Sequence, residues 1–166
     1  MKIIVAVDEN WGIGKDGGLL THLPEDMKFF RTTTSGKVVV MGRKTLQSFP
    51  GAKPLKNRTN IVLTSDREYH QEGLTVCHSA EDVLKLLEKY PSDDVYVIGG
   101  QSIYEQFLPF CDTAFVTFME RKFQADTYFV NLDQDPDWEI IKVSEKKEYE
   151  GLSFEFRTYS NRKVKH

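Results

Sequence analysis

Residues 37–45 read Lys37-Val38-Val39-Val40-Met41-Gly42-Arg43-Lys44-Thr45, or KVVVMGRKT. Three consecutive valines and a methionine leave no polar face, so the run predicts a strand over 37–41 buried on both sides. Glycine then breaks the run, and two cations and a hydroxyl lead into a short helix from Lys44. A buried strand that feeds directly into a helix belongs to a parallel sheet with helical crossovers. The same pattern recurs outward along the chain. Residues 3–7, 60–64, 74–77 and 94–98 are further strands. Helices are predicted from Pro24, over 80–89 with Ser79 as N-cap and Asp82 three residues on, and over 101–108. The last third is longer and more alternating. Residues 112–120, 138–143 and 152–159 are expected as antiparallel strands closing one edge. The predicted fold is α/β: a single domain over 1–166 with a mixed, mostly parallel central β-sheet. About four helices flank that sheet, and antiparallel C-terminal strands complete it.

A chain of 166 residues, 40% hydrophobic and 12% aromatic, is long enough for one sizeable core. Its net charge of −3 argues against general nucleic-acid binding, and the basic 161–166 tail reads as a solvated terminus. Cys77 and Cys111 lack C-x-x-C spacing, which suits a buried, reduced pair in a cytosolic protein. Four scattered histidines offer no metal spacing, so no metal is expected. No stretch reaches transmembrane length, and no membrane association is expected.

In open parallel sheets, ligands sit beyond the carboxyl ends of the strands. Three such ends carry related chemistry: Gly42-Arg43-Lys44-Thr45, then Thr64-Ser65-Asp66-Arg67, then Gly99-Gly100 before a helix. Glycines let backbone N–H groups approach a ligand, and a helix start favours an anion. Together the three ends suggest a dinucleotide lying across them. No G-x-G-x-x-G follows the first strand, which disfavours the usual Rossmann arrangement. Arg43, Lys44, Thr64, Ser65 and Arg67 suit a ribose 2′-phosphate, with Asp66 discordant, so NADPH is favoured over NADH.

A second stretch, Leu20-Thr21-His22-Leu23-Pro24-Glu25-Asp26-Met27-Lys28-Phe29-Phe30, sets a carboxylate beside an apolar helix stripe of Leu23, Met27 and Phe30. Two readings are open. Asp26 complements the helix dipole as Glu25 does, or it sits in a pocket and takes a planar, amidine-like ligand group in two parallel hydrogen bonds. Residues 8–23, with glycine at 12, 14, 17 and 18, are expected as a loop without secondary structure leading straight into Asp26. Long loops of that kind are often active-site lids.

The ordered set of motifs resembles dihydrofolate reductase over nearly the whole chain. It comprises Ala6-Val7, Gly12-Ile13-Gly14, Leu23-Pro24-Glu25-Asp26, Val40-Met41-Gly42-Arg43-Lys44-Thr45, and Pro54-Leu55 with Arg58 and Asn60. Val97-Ile98-Gly99-Gly100 with Ile103-Tyr104, Thr117, and Asp126-Thr127-Tyr128-Phe129 complete it. The resemblance implies NADPH-dependent reduction of 7,8-dihydrofolate to tetrahydrofolate, with hydride transfer to pterin C6 and water-mediated protonation of N5. By the same carry-over, Asp26, Thr117 and Tyr104 are the residues nearest the chemistry, Asp26 gripping the pterin with Thr117 bonded to it. Ile4, Val5, Met27, Phe30, Phe49 and Leu55 would line the substrate pocket, and Arg58 would hold the glutamate tail. Ala6, Ile13, Gly14, Gly42, Arg43, Lys44, Thr45, Leu63, Thr64, Ser65, Ile98, Gly99, Gly100, Gln101, Ser102, Ile103 and Tyr104 would surround NADPH, with a cis peptide between the two glycines. A cytoplasmic monomer that also binds antifolate inhibitors is implied.

The chain departs from the family pattern in three places. Leu20-Thr21 stands where Pro-Trp is usual, which bears on water delivery and on one pocket wall. Ala125 stands where glycine is usual, which bears on lid coupling, and Lys56-Asn57 replaces Pro-Gly. Two rivals differ in class: a related-fold reductase of a riboflavin-pathway pyrimidine, which would lack the helix acid and the Arg58 clamp, and a non-catalytic pterin or nucleotide binder. Turnover with dihydrofolate separates all three.

Overall fold

The computed structural model describes all residues, Met1–His166. In chain order the strands and helices begin with β1 (Lys2–Val7), β2 (Gly12–Gly14), α1 (Pro24–Thr34), β3 (Val38–Gly42), α2 (Arg43–Gln47), β4 (Thr59–Leu63) and β5 (Leu74–Cys77). They continue with α3 (Ala80–Leu87), β6 (Val95–Gly99), α4 (Gln101–Phe107), β7 (Thr113–Met119), β8 (Thr127–Tyr128), β9 (Trp138–Val143), β10 (Lys147–Tyr149) and β11 (Leu152–Asn161). Nine strands make one sheet in the order β10-β11-β7-β1-β6-β3-β4-β5, with β9 also paired to β11. From β7 to β5 every pairing is parallel. The predicted mixed, mostly parallel sheet with four α-helices is therefore present.

The local reasons are those the sequence supplies. Val38, Val39, Val40 and Met41 are all buried, so β3 is covered on both faces, as an uninterrupted apolar run requires. Pro24 opens α1 at a position where its missing N–H costs no hydrogen bond. Ser79 caps α3 by accepting the Asp82 N–H. The largest cluster of buried residues joins β1, β6 and β7 to α3 and α4 through Ile3, Val5, Val97, Phe107, Val116 and Val83.

Two expectations are corrected. Residues 112–120 form only one side of the antiparallel edge: β7 pairs antiparallel with β11, as expected, but runs parallel to β1 on its other side, in the sheet interior. Its burial does not follow the apparent alternation: Ala114 and Val116 are buried on one face, Thr117 and Met119 on the other, and Phe115 and Phe118 are half-covered. That burial pattern is compatible with either strand direction. Residues 8–23 are likewise not a loop free of structure, because β2 pairs antiparallel with β8 and Lys15 bridges to Gly18. Short, glycine-rich pairing of this kind leaves no hydrophobic period to read. Trp11, inside this segment, is buried among Phe118, Phe129 and Tyr159.

Candidate functional site

Because β1, β3, β4, β6 and β7 are parallel, their carboxyl ends share one side of the sheet. The register aligns them: Thr117 faces Ala6, Met41 faces Gly99, and Gly42 faces Leu63. A narrow cleft opens there, lined by Ala6, Ile13, Leu19, Leu20, Thr21, Leu23, Met27, Met119 and one acid, Asp26. The Thr117 hydroxyl, buried on β7, donates to Asp26 Oδ1 at 2.6 Å. Burial raises the Asp26 pKa above its ordinary value, and the Thr117 hydrogen bond opposes the rise. An acid set only to complement a helix dipole would lie in water. This one is desolvated and oriented by a side chain from another element.

The other expected pocket residues divide. Ile4 and Val5 are buried on β1, and the Ile4 carbonyl accepts the buried Tyr104 hydroxyl at 2.8 Å, tying α4 to β1. Met27 is exposed toward the cleft and Phe30 is half-buried, so the α1 stripe is an open wall and not a sealed core face. Phe49, Leu55 and Ile98 are gathered in a separate cluster around Val39, Met41, Leu46 and Val62 and do not line the cleft. Arg58 donates to the Lys56 carbonyl at 2.9 Å and to the Thr34 hydroxyl at 3.4 Å. Its pKa is lowered by burial and by the charge of Arg31.

On the β3–β4–β6 side the glycines create close approach. A Cβ on Gly42 would lie 3.1 Å from Ile103, and one on Gly100 would lie 3.7 Å from the Thr45 hydroxyl. Gly99 has φ of +121° with the Tyr104 ring 3.2 Å from where a Cβ would be, so only glycine fits. The Gly99–Gly100 peptide is cis, as the resemblance implied. Neither α2 nor α4 has a side-chain cap at its start, which leaves their first-turn N–H groups to a ligand or water. Lys44, Ser65, Arg67 and Ser102 are exposed, and Thr64 is half-buried. Gly14 is buried in β2, and Leu63 is buried at the end of β4.

Two of these residues are already engaged. Arg43 pairs with Asp66 at 3.0 Å, and Thr64 accepts the Asp66 N–H at 3.2 Å. The discordant acid thus neutralises the leading phosphate candidate when no ligand competes. Gln101 bonds to Glu105 and accepts the Tyr128 N–H, linking α4 to β8.

Sequence reasoning missed Leu19, Met119 and Arg31. Met119 is two residues beyond Thr117 on a strand and shares its face, so period-two alternation could have found it. Arg31 is five residues after Asp26 and reads as an ordinary dipole-complementing cation at a helix end. Leu19 carries no local signal at all.

A family model described as dihydrofolate reductase matches residues 1–161. A dihydrofolate reductase of Staphylococcus aureus is 39% identical over 147 residues, covering 89% of this chain and 87% of its own. One from Bacillus subtilis is 35% identical over 164 residues, covering 98% and 95%. The solved structure of dihydrofolate reductase from Enterococcus faecalis, complexed with NADP(H) and RAB-propyl, superposes with a TM-score of 0.86. It is 37% identical and covers 96% of this chain and 95% of its own.

Proposed function

The chain belongs to the dihydrofolate reductase family, and we propose how its own side chains carry the NADPH-dependent reduction of 7,8-dihydrofolate to tetrahydrofolate. The observation that carries the reading is the Thr117–Asp26 hydrogen bond, 2.6 Å long, at the wall of a mostly apolar cleft. A carboxyl desolvated in this way seeks N–H donors in a plane. The 2-amino group and N3 of a pterin supply two of them side by side. Asp26 accepts both, and Thr117 fixes which oxygen faces inward. With one oxygen held by Thr117, the charge on Asp26 raises the basicity of the pterin, and a proton from water reaches N5. Asp26 and the reacting atoms touch through the same ring. Thr117 is a positioning residue, and so is Tyr104, whose hydroxyl is spent on Ile4.

The cofactor fits the donor set beyond β3, β4 and β6. Uncapped first turns at α2 and α4, glycines 42, 99 and 100, and the cations and hydroxyls of Arg43, Lys44, Thr45, Thr64 and Ser65 suit a dinucleotide with a 2′-phosphate. NADPH, when bound, supplies the hydride. Ala6 and Ile13 line the cleft where the two ligands would meet, and their apolar surface excludes water from that junction. Arg43 must exchange Asp66 for the phosphate, and Arg58, which reaches Thr34 at the end of α1 and feels the charge of Arg31, is the cation we assign to a glutamate carboxylate.

We read residues 1–166 as one functional domain acting as a cytoplasmic monomer. No helix is long and apolar enough to cross a membrane. Antifolate inhibitors that present an amidine-like edge would compete for Asp26. The test is oxidation of NADPH on adding dihydrofolate, followed by absorbance, beside a reaction offered a riboflavin-pathway pyrimidine. Turnover of dihydrofolate alone is the expected result. Turnover of the pyrimidine alone, or binding without turnover, overturns it.

A further inference from the structure

Asp8 has no part in the chemistry above, yet its side chain is fully buried, with 0% of the residue exposed. Its two oxygens are shared between two segments far apart in sequence. Oδ1 accepts the backbone N–H groups of Asn10 at 2.9 Å and Gly12 at 2.8 Å, and Oδ2 accepts that of Phe123 at 2.9 Å. The same two segments touch again beside it. The Glu9 N–H donates to the Arg121 carbonyl at 3.1 Å, and a Cβ on Gly12 would lie only 2.5 Å from the Ala125 methyl. Gly12 lacks a side chain where Ala125 has one, so the contact tolerates one methyl and not two.

Farther along the 8–23 segment, the ties to 121–126 change character. The Asp126 carboxylate accepts the Asp16 N–H at 2.9 Å, and Lys15 donates to Gln124 at 3.3 Å, but both lie in solvent. Exposed hydrogen bonds exchange readily with water, whereas buried ones persist. The segment therefore has a bolted root and a releasable outer part. That outer part includes Leu19, Leu20 and Thr21, which line the cleft with Asp26, and Ile13 lies between root and tip.

We propose that Asp8 is a positioning residue for the reduction: its buried carboxylate, shared by the N–H groups of Asn10, Gly12 and Phe123, bolts the root of the 8–23 segment to residues 121–126 and so holds Ile13 at the wall of the Asp26 cleft. The proposal rests on reading that cleft as the site of reduction. A carboxylate is required because three donors converge and none of them can accept. An amide has one acceptor oxygen and one donor nitrogen. In Asp8→Asn, the oxygen that keeps Asn10 and Gly12 leaves the NH₂ facing the Phe123 N–H, donor against donor. That variant removes the side-chain link between segments, leaving the Glu9–Arg121 backbone bond, while the turn at the root survives.

Two measurements test it. The first is single-turnover hydride transfer and NADPH affinity in the parent and Asp8→Asn. A misplaced cleft wall should slow hydride transfer by roughly tenfold or more, while NADPH affinity moves less than about threefold, since that affinity resides in the distant cations and glycines. A folded variant with the parental hydride rate overturns the proposal, as does an equal loss of rate and affinity. The second needs no variant: amide hydrogen exchange in the unmodified protein, free and with NADPH and folate bound. The Gly12 and Phe123 amides should stay protected in both states, and the Asp16 amide should exchange fast when free and slowly when bound. Fast exchange at Phe123 in the free protein overturns the bolt. The exchange result does not depend on turnover, so it separates failure of the bolt from failure of the reductase reading.

Discussion

The two halves of the ligand groove are built in opposite ways. Beside β1 and β7 the protein holds one half-buried carboxyl against a mostly apolar wall and fixes it with one hydroxyl. Beyond β3 and β4 it sets cations in solvent and pairs the leading one with an acid of its own. A buried acid interacts strongly because water is excluded, but it is costly to ionise. An exposed cation is cheap to hold but weak singly, so that side depends on several groups converging on one highly charged phosphate. On the proposed assignment, the substrate half would gain discrimination from a single residue, and the cofactor half would spread it over many.

If that contrast is right, the largest effect belongs to Asp26. Asp26→Asn keeps the shape but loses the negative charge, and the hydride step should slow by roughly 10²-fold, the scale of lost acid–base assistance. Part of the rate should return at low pH, where the substrate is protonated in solution. Stopped-flow absorbance of NADPH reports it, and a near-parental rate at pH 7 would make the two halves alike.

Arg43→Ala should come next. Removing one charge-assisted contact, worth roughly 1.5–3 kcal/mol, should lower kcat/KM with NADPH by about ten- to a hundredfold. Efficiency with NADH should hardly change. Equal losses with both cofactors would move Arg43 out of the 2′-phosphate site.

Thr117→Val sharpens the comparison at the buried end. Without its hydroxyl the Asp26 carboxyl keeps the burial that raises its pKa and loses the hydrogen bond that lowers it, so the pH profile of hydride transfer should shift upward. Leaving a buried polar group unpartnered should also cost about 1–3 kcal/mol of stability, read by urea unfolding.

The stability difference between Asp26→Asn and the parent should grow with pH. Below the ordinary carboxylate value of 3.8, folded and unfolded parent both carry the proton, and Asp26 adds no difference. As pH rises through 3.8 the unfolded chain ionises first, because burial holds the folded value higher, and the parent loses stability until that higher value is passed. Asp26→Asn should thus melt at a higher temperature than the parent at pH 7, with the gap closing under acid. Calorimetry that finds the parent more stable at pH 7 would contradict the desolvated acid. The smallest effect is expected from Asp66→Asn, which frees Arg43 from an exposed pair worth about 0–1 kcal/mol. NADPH should bind a few-fold more tightly, by fluorescence titration, and unchanged affinity would mean that Asp66 does not compete with the phosphate.

The same contrast explains what could be read from sequence. The valine run of β3, the proline opening α1 and the Ser79 cap carry their structure in local chemistry, and they fold as predicted. Gly42, Arg43 and Thr45 stand out in sequence only together with the two other strand ends, and the structure sets them where β3 gives way to α2. At β7 the antiparallel pairing with β11 was legible but the parallel pairing with β1 was not, because residues buried on both faces are compatible with neighbours of either direction. The pairing of β2 with β8 joins glycine-rich residues to a segment more than a hundred positions away, and neither partner has an apolar period. Phe49 and Leu55 were named only through the family resemblance; they pack against the cluster around Leu46, which only the path of the chain decides. Asp8 shows the same limit most plainly: an acid after a strand reads as a solvated turn until the fold brings Phe123 to it.

The central claim is that the cleft holds Asp26 as a desolvated acid awaiting a pterin. Carbon-13 labelling of aspartate side chains, with Asp26→Asn to assign the signal, lets that carboxyl be titrated directly by NMR. The account predicts a midpoint above 3.8 in the free protein, shifted higher again in Thr117→Val. Bound folate should keep the signal from titrating as the free carboxyl does. A midpoint at or below 3.8, indifferent to Thr117 and to folate, would return Asp26 to the role of a solvated helix-end charge and contradict the account.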